Sequence, residues 1–278
     1  MRSRPFAQVD VFSPTPLLGN PLAVVLDGEG LTDEEMQAFA RWTNLSETTF
    51  LLPPTVIAAD YRLRIFTPGG ELPFAGHPTL GSAHAWLANR DAAETQERLV
   101  QECGVGLVEL RVGSDSIAFA APPLRRSGPV DQATASRAVA SLGLEASQVV
   151  AVEWVDNGPG WLVVLVDDAA TVLAIRPDLA TMGDLEVGVV GPYRGEGPAD
   201  YEVRAFVPRL GVPEDPVTGS LNAGIAVWFL ASGIVAGDYT VRQGTALGRN
   251  GRVSVTTDGE TIWIGGVSTT VISGTVLL

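Results

Sequence analysis

An internal repeat is the sequence feature that most constrains how this chain can fold. The segment RIFTP (64–68) has a counterpart in RAFVP (204–208). A turn-rich loop follows each segment, and then a run with no charged residue after its first position: HPTLGSAHAWLA (77–88) in the first case and DPVTGSLNAGIAVWFLA (215–231) in the second. The two runs align at an offset of 138 residues, where a proline, a glycine, a serine and an alanine coincide. We therefore predict that the chain contains one structural unit twice.

The length of 278 residues permits two domains of ordinary size. We place the boundary in the PPLRRSGP segment (122–129), which gives an N-terminal half of residues 1–124 and a C-terminal half of residues 125–278. Whether the last strand returns to the N-terminal half is left open.

Within each half, most segments are typical of short strands, such as YRLRIFT (61–67). A capping-box pattern at Thr32–Glu35 predicts a helix that continues to about Trp42. The two uncharged runs have no polar face, so each predicts a helix that the rest of its half must enclose. We predict an α+β fold in which each half is a curved sheet wrapped around a central helix.

Composition excludes several classes of function. The net charge of −14 argues against binding to nucleic acid or to an anionic membrane. All eighteen basic residues are arginine, so lysine chemistry is excluded. One cysteine and two histidines favour neither a disulfide nor a metal site, and no cofactor motif is found.

The uncharged stretch 216–237 contains Pro216, Asn222 and several glycines, which favours a buried helix over a membrane span. We expect a soluble, cytoplasmic protein.

The starts of the two enclosed helices are the first candidate site. Gly76 and His77 stand at one start, and Asp215, Gly219 and Ser220 at the other. Helix N-termini present N–H groups and partial positive charge, which suit a substrate carboxylate. In a duplicated protein the two starts can face each other across a cleft between the halves. The alternative is that these residues are only caps and turns.

Single titratable residues give further candidates. Glu47, in NLSETTF, lies at a helix-to-strand junction, where an apolar setting could make it a general acid or base; the alternative is a surface glutamate. His77 can reach a ligand from its helix start, whereas His84 is predicted to pack in the core. Cys103 is interpreted as a buried small residue rather than a nucleophile.

Five motifs spread over most of the chain resemble those of the PhzF family, which belongs to the diaminopimelate epimerase-like superfamily: VDVFSPTPLLGNPLAVVL (9–26), NLSETTFLLPP (44–54), RIFTPGGELPFAGHPTLGSA (64–83), EDPVTGS (214–220) and QGTALGR (243–249). The resemblance implies two pseudo-symmetric halves, each a β-barrel-like sheet around a central helix, with an active site in the cleft between them. It also implies a cofactor-independent isomerase that acts on a small carboxylate resembling dihydro-hydroxyanthranilate, and a homodimer.

The resemblance also implies roles for individual residues. Glu47 would be the acid/base that moves a proton, while His77 and Asp215 would polarise and orient the substrate. The remaining expected contacts are with the substrate carboxylate or with the border of the cleft: Gly76, Gly219 and Ser220 for the former, Asn20, Ser46 and Trp161 for the latter. Epimerases and racemases of the superfamily use two cysteines at the helix starts, and this chain has none there. A non-catalytic binding protein and an epimerase of another small acid stay as alternatives.

Overall fold

The computed structural model describes residues 1–90, 96–208 and 212–278. The chain divides into two compact units. Unit 1 comprises Met1–Ala120 together with Gly265–Leu278, and unit 2 comprises Ala121–Ile264. The C-terminal segment therefore belongs to the same unit as the N-terminal strands.

Unit 1 contains nine strands and two helices in the described residues. The eight strands of its N-terminal segment are β1 (Ser3–Val11), β2 (Asn20–Val25), β3 (Thr48–Leu52), β4 (Tyr61–Thr67), β5 (Gly70–Leu72), β6 (Arg98–Cys103), β7 (Gly106–Val112) and β8 (Ile117–Ala120). The helices are α1 (Asp33–Thr43) and α2 (Gly76–Ala88), and the C-terminal strand, the last of the chain, is β18 (Ser268–Leu277). The Thr32–Glu35 capping box is formed and starts α1, which confirms this helix of the sequence analysis.

Unit 2 repeats this mixture of strands and helices. Its strands are β9 (Arg126–Pro129), β10 (Val149–Asp156), β11 (Trp161–Val166), β12 (Glu186–Pro192), β13 (Tyr201–Val207), β14 (Val212–Asp215), β15 (Tyr239–Gln243), β16 (Gly251–Thr257) and β17 (Ile262–Gly266), whose last residues cross into unit 1. Its helices are α3 (Gln132–Ser141), α4 (Ala169–Ala174), α5 (Leu179–Met182) and α6 (Gly219–Ala231).

The strands of the two units follow the same order and run in the same directions. In unit 1 the order is β18-β1-β2-β3-β4-β6-β7-β8, with β5 added to β4. In unit 2 it is β9-β10-β11-β12-β13-β15-β16, with β14 added to β13. The β2–β3 and β4–β6 pairs are parallel, as are β11–β12 and β13–β15, because a helical crossover joins the strands of each pair. The repeat in the sequence is thus a repeat of topology.

Each sheet curves around one helix. In unit 1, α2 contacts β18 and β8, which stand at opposite ends of the strand order, as well as β1 to β4 between them. In unit 2, α6 contacts β10, β11 and β16. Neither helix carries an acidic residue in its first turn or a basic one in its last, and most of their residues are buried. An uncharged surface on all sides is what permits this enclosure.

The equivalence of the two helices differs from the sequence alignment. Both helices are 13 residues long and begin at Gly76 and Gly219, an offset of 143 rather than 138. The sixth residue of each helix is then a glycine, Gly81 or Gly224, at a close approach to the sheet. A Cβ on Gly81 would lie 2.8 Å from Val11 Cγ2, and one on Gly224 would lie 2.4 Å from the Val155 carbonyl oxygen. The 138 alignment was wrong because small residues recur along both helices and match by composition.

The stretch 216–237 contains α6 and the turns around it. In the part of the chain that the structure describes, no helix is long and apolar enough to cross a membrane.

Substituting Gly224 by alanine should destabilise unit 2. Alanine favours helix by about 1 kcal/mol over glycine, but here the new methyl group would collide with the Val155 backbone. We expect the free energy of unfolding to fall by roughly 1–3 kcal/mol in urea denaturation. Gly237→Ala, where a Cβ meets open space, is the matched control and should change it by less than about 1 kcal/mol. Equal stability of the two variants would show that α6 does not approach β10 this closely.

Candidate active site

Glu47 and His77 come together in unit 1. Glu47 immediately precedes β3, and His77 is the second residue of α2. Their side chains are 15% and 5% exposed, and Glu47 Oε2 lies 3.2 Å from His77 Nε2. The sequence analysis proposed both residues separately, and the structure places them in contact.

Asn20, the first residue of β2, contacts the other nitrogen of the imidazole. Its side chain is fully buried, and its Nδ2 lies 3.4 Å from His77 Nδ1. Because an amide nitrogen donates, this contact favours the tautomer in which Nδ1 accepts and the ring proton is on Nε2. The ring N–H then lies on the side of the imidazole that is near Glu47.

Burial decides the charge of His77. Desolvation lowers its pKa from the usual 6.5 to about 3. The nearby Glu47 carboxylate would favour an imidazolium, but the cost of burying that charge outweighs the attraction. His77 is therefore a neutral hydrogen-bond donor at physiological pH.

Two loops with unusual backbone conformations hold these side chains. In the described residues, the non-glycine positions with positive φ are Phe12 (66°), Leu17 (71°) and Asn44 (54°). Phe12 and Leu17 lie in the loop that ends at Asn20, while Asn44 ends α1 three residues before Glu47. Left-handed conformations are costly for residues such as Phe and Leu and are concentrated at functional sites.

The first turn of α2 is held by a buried glutamine. Gln101 Nε2 donates to Thr79 Oγ1 (3.1 Å), and Tyr61 Oη donates to Gln101 Oε1 (3.2 Å). No side chain caps this helix in the part of unit 1 that is described. Gly76, its first residue, is adjacent to His77, and half-buried Ser46 is adjacent to Glu47.

Asp215 lies four residues before the first residue of α6 in unit 2. It is the last residue of β14, and its Oδ2 accepts a hydrogen bond from Thr218 Oγ1 (2.6 Å). Gln243 accepts from the Thr218 amide (3.1 Å) and from Asn222 Nδ2 (2.9 Å), as Gln101 binds Thr79 in unit 1. In each unit, a buried glutamine on the strand that follows the helix thus holds the helix start: Gln101 on β6 and Gln243 on β15.

Ser220, the second residue of α6, is held from two sides. Trp161 Nε1 donates to its Oγ (3.0 Å), and Asn157 Nδ2 donates to its carbonyl oxygen (2.8 Å). Gly219 precedes it as the buried first residue of the helix. In unit 2 the structure therefore brings Asp215, Gly219, Ser220 and Trp161 to one helix start.

His84 and Cys103, both expected to be buried, are partly exposed in the structure. His84 was predicted to pack in the core, but it is only partly buried and its Nε2 lies 3.0 Å from Thr270 Oγ1. The prediction was wrong because α2 turns this position towards β18. Cys103 is half-buried, and burial raises the pKa of its thiol.

No group of three or more His, Cys, Asp or Glu side chains within the described ranges could hold a metal ion.

Sequence reasoning missed the supporting residues Gln101, Gln243 and Asn157. Gln101 and Gln243 begin the similar segments QECGVG and QGTALG, 142 residues apart, and that recurrence was the available signal. For Asn157, which reaches Ser220 across 63 residues of sequence, no signal existed.

The fold is of the diaminopimelate epimerase-like class. The chain belongs to the PhzC-PhzF family of phenazine biosynthesis-like proteins, whose family model matches residues 9–274. The family and the fold class expected from the sequence motifs are thereby confirmed.

Two curated relatives cover most of this chain. Antisense-enhancing sequence 1 of Schizosaccharomyces pombe is 36% identical and covers 99% of both chains. Trans-2,3-dihydro-3-hydroxyanthranilate isomerase of Pseudomonas aeruginosa is 34% identical and covers 91% of this chain and 90% of its own. The first name describes no reaction, whereas the second names an isomerisation.

Solved structures give the same fold. A phenazine biosynthesis protein of the PhzF family from Enterococcus faecalis matches all of both chains with a TM-score of 0.82 and 28% identity. A hydroxyproline epimerase from Agrobacterium vitis matches with a TM-score of 0.58 and 14% identity, and covers 99% of this chain and 92% of its own. The second similarity shows the shared fold alone.

The neutral state of His77 should make stability depend on pH. Below pH 6.5 the unfolded chain binds a proton at His77, whereas the folded protein does so only near pH 3. The free energy of unfolding therefore falls as the pH falls from 6.5 towards 3. Below pH 6.5 we expect wild type to lose about 1.4 kcal/mol per pH unit that His77→Gln does not lose. Urea denaturation between pH 7.5 and 4.5 measures both slopes.

His84→Gln is the control for this measurement, because it removes the less buried histidine and leaves His77 in place. It should keep most of the wild-type slope. Identical slopes for wild type and His77→Gln would contradict a neutral, buried His77.

Proposed function

We propose that this isomerase moves a proton within trans-2,3-dihydro-3-hydroxyanthranilate or a close analogue, with Glu47 as the acid/base and without a cofactor. One observation carries the proposal: Glu47 is 15% exposed and contacts a histidine that burial keeps neutral. The named substrate comes from the Pseudomonas aeruginosa relative.

The contact suits proton transfer by a carboxylate. In the first step Glu47 removes a C–H proton that conjugation makes acidic, and in the second it returns that proton to another carbon of the same molecule. His77 stays neutral throughout and donates from Nε2, so it can orient Glu47 or a substrate oxygen without taking the proton. The limited access of water favours return of the proton to substrate over its loss to solvent.

We propose further that Asp215, Gly219 and Ser220 of unit 2 bind the same substrate, as the resemblance implies. Two features support this role. No side chain caps α6 among the described residues and its first turn carries no acid, so a carboxylate is electrostatically suited to it. Ser220 is also held in place by Trp161. Asp215 would orient a polar group of the substrate.

A thiol mechanism is disfavoured by Cys103. It is the chain's one cysteine, so a two-thiol exchange of the epimerase kind has no second thiol. Burial raises its pKa, which disfavours the reactive thiolate.

Proton NMR of trans-2,3-dihydro-3-hydroxyanthranilate incubated with the protein in deuterated water tests the proposal. Glu47→Gln should lower kcat by roughly 10²–10⁴-fold because it removes the proton acceptor, while substrate binding by calorimetry stays within a few-fold. Asp215→Asn should also slow turnover if unit 2 takes part. Cys103→Ser is the control and should keep wild-type activity.

Each outcome of this experiment has a definite meaning. Wild-type turnover in Glu47→Gln would remove Glu47 from the mechanism. Binding without turnover by the wild-type protein would favour the non-catalytic binding protein, and loss of activity in Cys103→Ser would revive a thiol mechanism.

We also propose a homodimer, as the resemblance implies. Sedimentation equilibrium at micromolar concentration should then give a mass of about twice the 29.2 kDa of the chain. A mass equal to that of one chain would refute it.

A further inference from the structure

The repeated Arg-x-Phe motif of the sequence has a structural role in unit 2 that the proposed reaction does not use. Arg204 Nε and Nη2 donate to the two carboxylate oxygens of Glu214, at 2.9 and 2.8 Å. Its Nη1 donates to the carbonyl oxygen of Ile175 (2.8 Å), at the end of α4, and its guanidinium lies 4.9 Å from the Phe206 ring centre. The two charged side chains are only 5% and 8% exposed.

Unit 1 contains the same arrangement at the equivalent place. Arg64 Nε and Nη2 donate to the two oxygens of Glu71, at 2.7 and 2.6 Å, and the guanidinium lies 5.0 Å from the Phe66 ring centre. Its Nη1 donates to Asp33 at the start of α1 (2.6 Å). Here the carboxylates are well exposed, Glu71 by 41% and Asp33 by 75%. The buried version is therefore found in unit 2.

Both pairs occupy the same position relative to the central helix. Each arginine is the fourth residue of its strand, β4 or β13, and each glutamate stands five residues before the first residue of α2 or α6. The arginine thus attaches the short strand β5 or β14, and the segment leading to the helix start, to the main sheet. In unit 2 this segment carries Asp215 and leads to Gly219 and Ser220.

In unit 2 the attachment acts directly on Asp215. Glu214 pairs with Phe206 and Asp215 pairs with Ala205 in the β13–β14 ladder. Because neighbouring side chains of a strand point to opposite faces, Glu214 faces Arg204 on one face while Asp215 reaches Thr218 on the other. A movement of Glu214 would therefore move Asp215.

We propose that Arg204 and Glu214 are positioning residues: their buried pair sets the place of Asp215 and of the first turn of α6 for the reaction. This inference rests on the proposed function. A bidentate arginine–carboxylate contact fixes both distance and orientation. A buried ion pair contributes little net stability relative to apolar side chains of similar size, so specification of geometry is the better explanation for this one.

The decisive variant replaces both charges by apolar side chains, Arg204→Met together with Glu214→Leu. Such a replacement removes the fixed orientation without leaving either charge buried alone, although the Ile175 carbonyl also loses its Arg204 donor. We expect a folded variant with a somewhat lower thermal midpoint, with kcat in the NMR assay reduced at least about tenfold and a smaller change in KM. Glu214→Gln, which keeps the shape and loses the charge, should lie between.

Asp184→Asn is the matched control. It removes one carboxylate from the exposed Arg137–Asp184 pair of the same unit, where the two side chains are 44% and 76% exposed. Its kcat and KM should equal those of wild type.

Amide hydrogen exchange over residues 212–222 is the second readout, and it does not depend on activity. The Thr218 amide, which donates to Gln243, and the Asn222 amide, which donates to the Thr218 carbonyl, should exchange faster in the double variant. Their exchange should be unchanged in Asp184→Asn.

The outcomes separate this inference from the proposed function. A folded double variant with wild-type kcat, or with wild-type exchange at Thr218 and Asn222, would overturn the positioning role. If the wild-type protein does not turn over the substrate, the proposed function fails and the exchange data alone decide the positioning role. Should the double variant not fold, the same comparisons on Glu214→Gln decide it.

Discussion

The enclosure of an uncharged helix by a curved sheet is the constraint on which the rest of each unit depends. A helix without a polar face can be surrounded by strands, and glycine at its sixth position lets the sheet approach closely, as Gly81 and Gly224 do. Once the sides of the helix are covered, the backbone N–H and C=O groups that are not bonded within the helix lie only at its ends. The first turn therefore becomes the natural place for polar chemistry in both units.

The two units use this frame differently. In each, a buried glutamine and an arginine–glutamate pair fix the segment around the helix start. The second helical residue is His77 in unit 1 and Ser220 in unit 2. Burial makes the histidine a neutral donor beside Glu47, while the serine is held by Trp161. Duplication thus conserved the support and changed the groups that it presents.

Much of the fold could be predicted because its signals are local or repeated. The capping box at Thr32–Glu35 starts α1 as expected, and the two uncharged runs are the enclosed helices. The alignment of the runs was wrong by five residues, because their small residues match in more than one register. His84 was misassigned for a related reason: an uncharged sequence does not show which side of a helix a neighbouring strand leaves open.

The sequence by itself determined the family, the duplication and the candidate residues Glu47, His77 and Asp215, since these follow from motifs and residue types. Only the tertiary structure decided that Glu47 meets His77, that Asn20 contacts the same imidazole, and that Arg204 and Glu214 form a buried pair. These contacts join residues 10 to 57 positions apart, and the distances that decide hydrogen bonding and charge state arise only when the sheet closes around its helix. A pattern along the chain specifies which groups are present, and packing specifies their distances and their exposure to water.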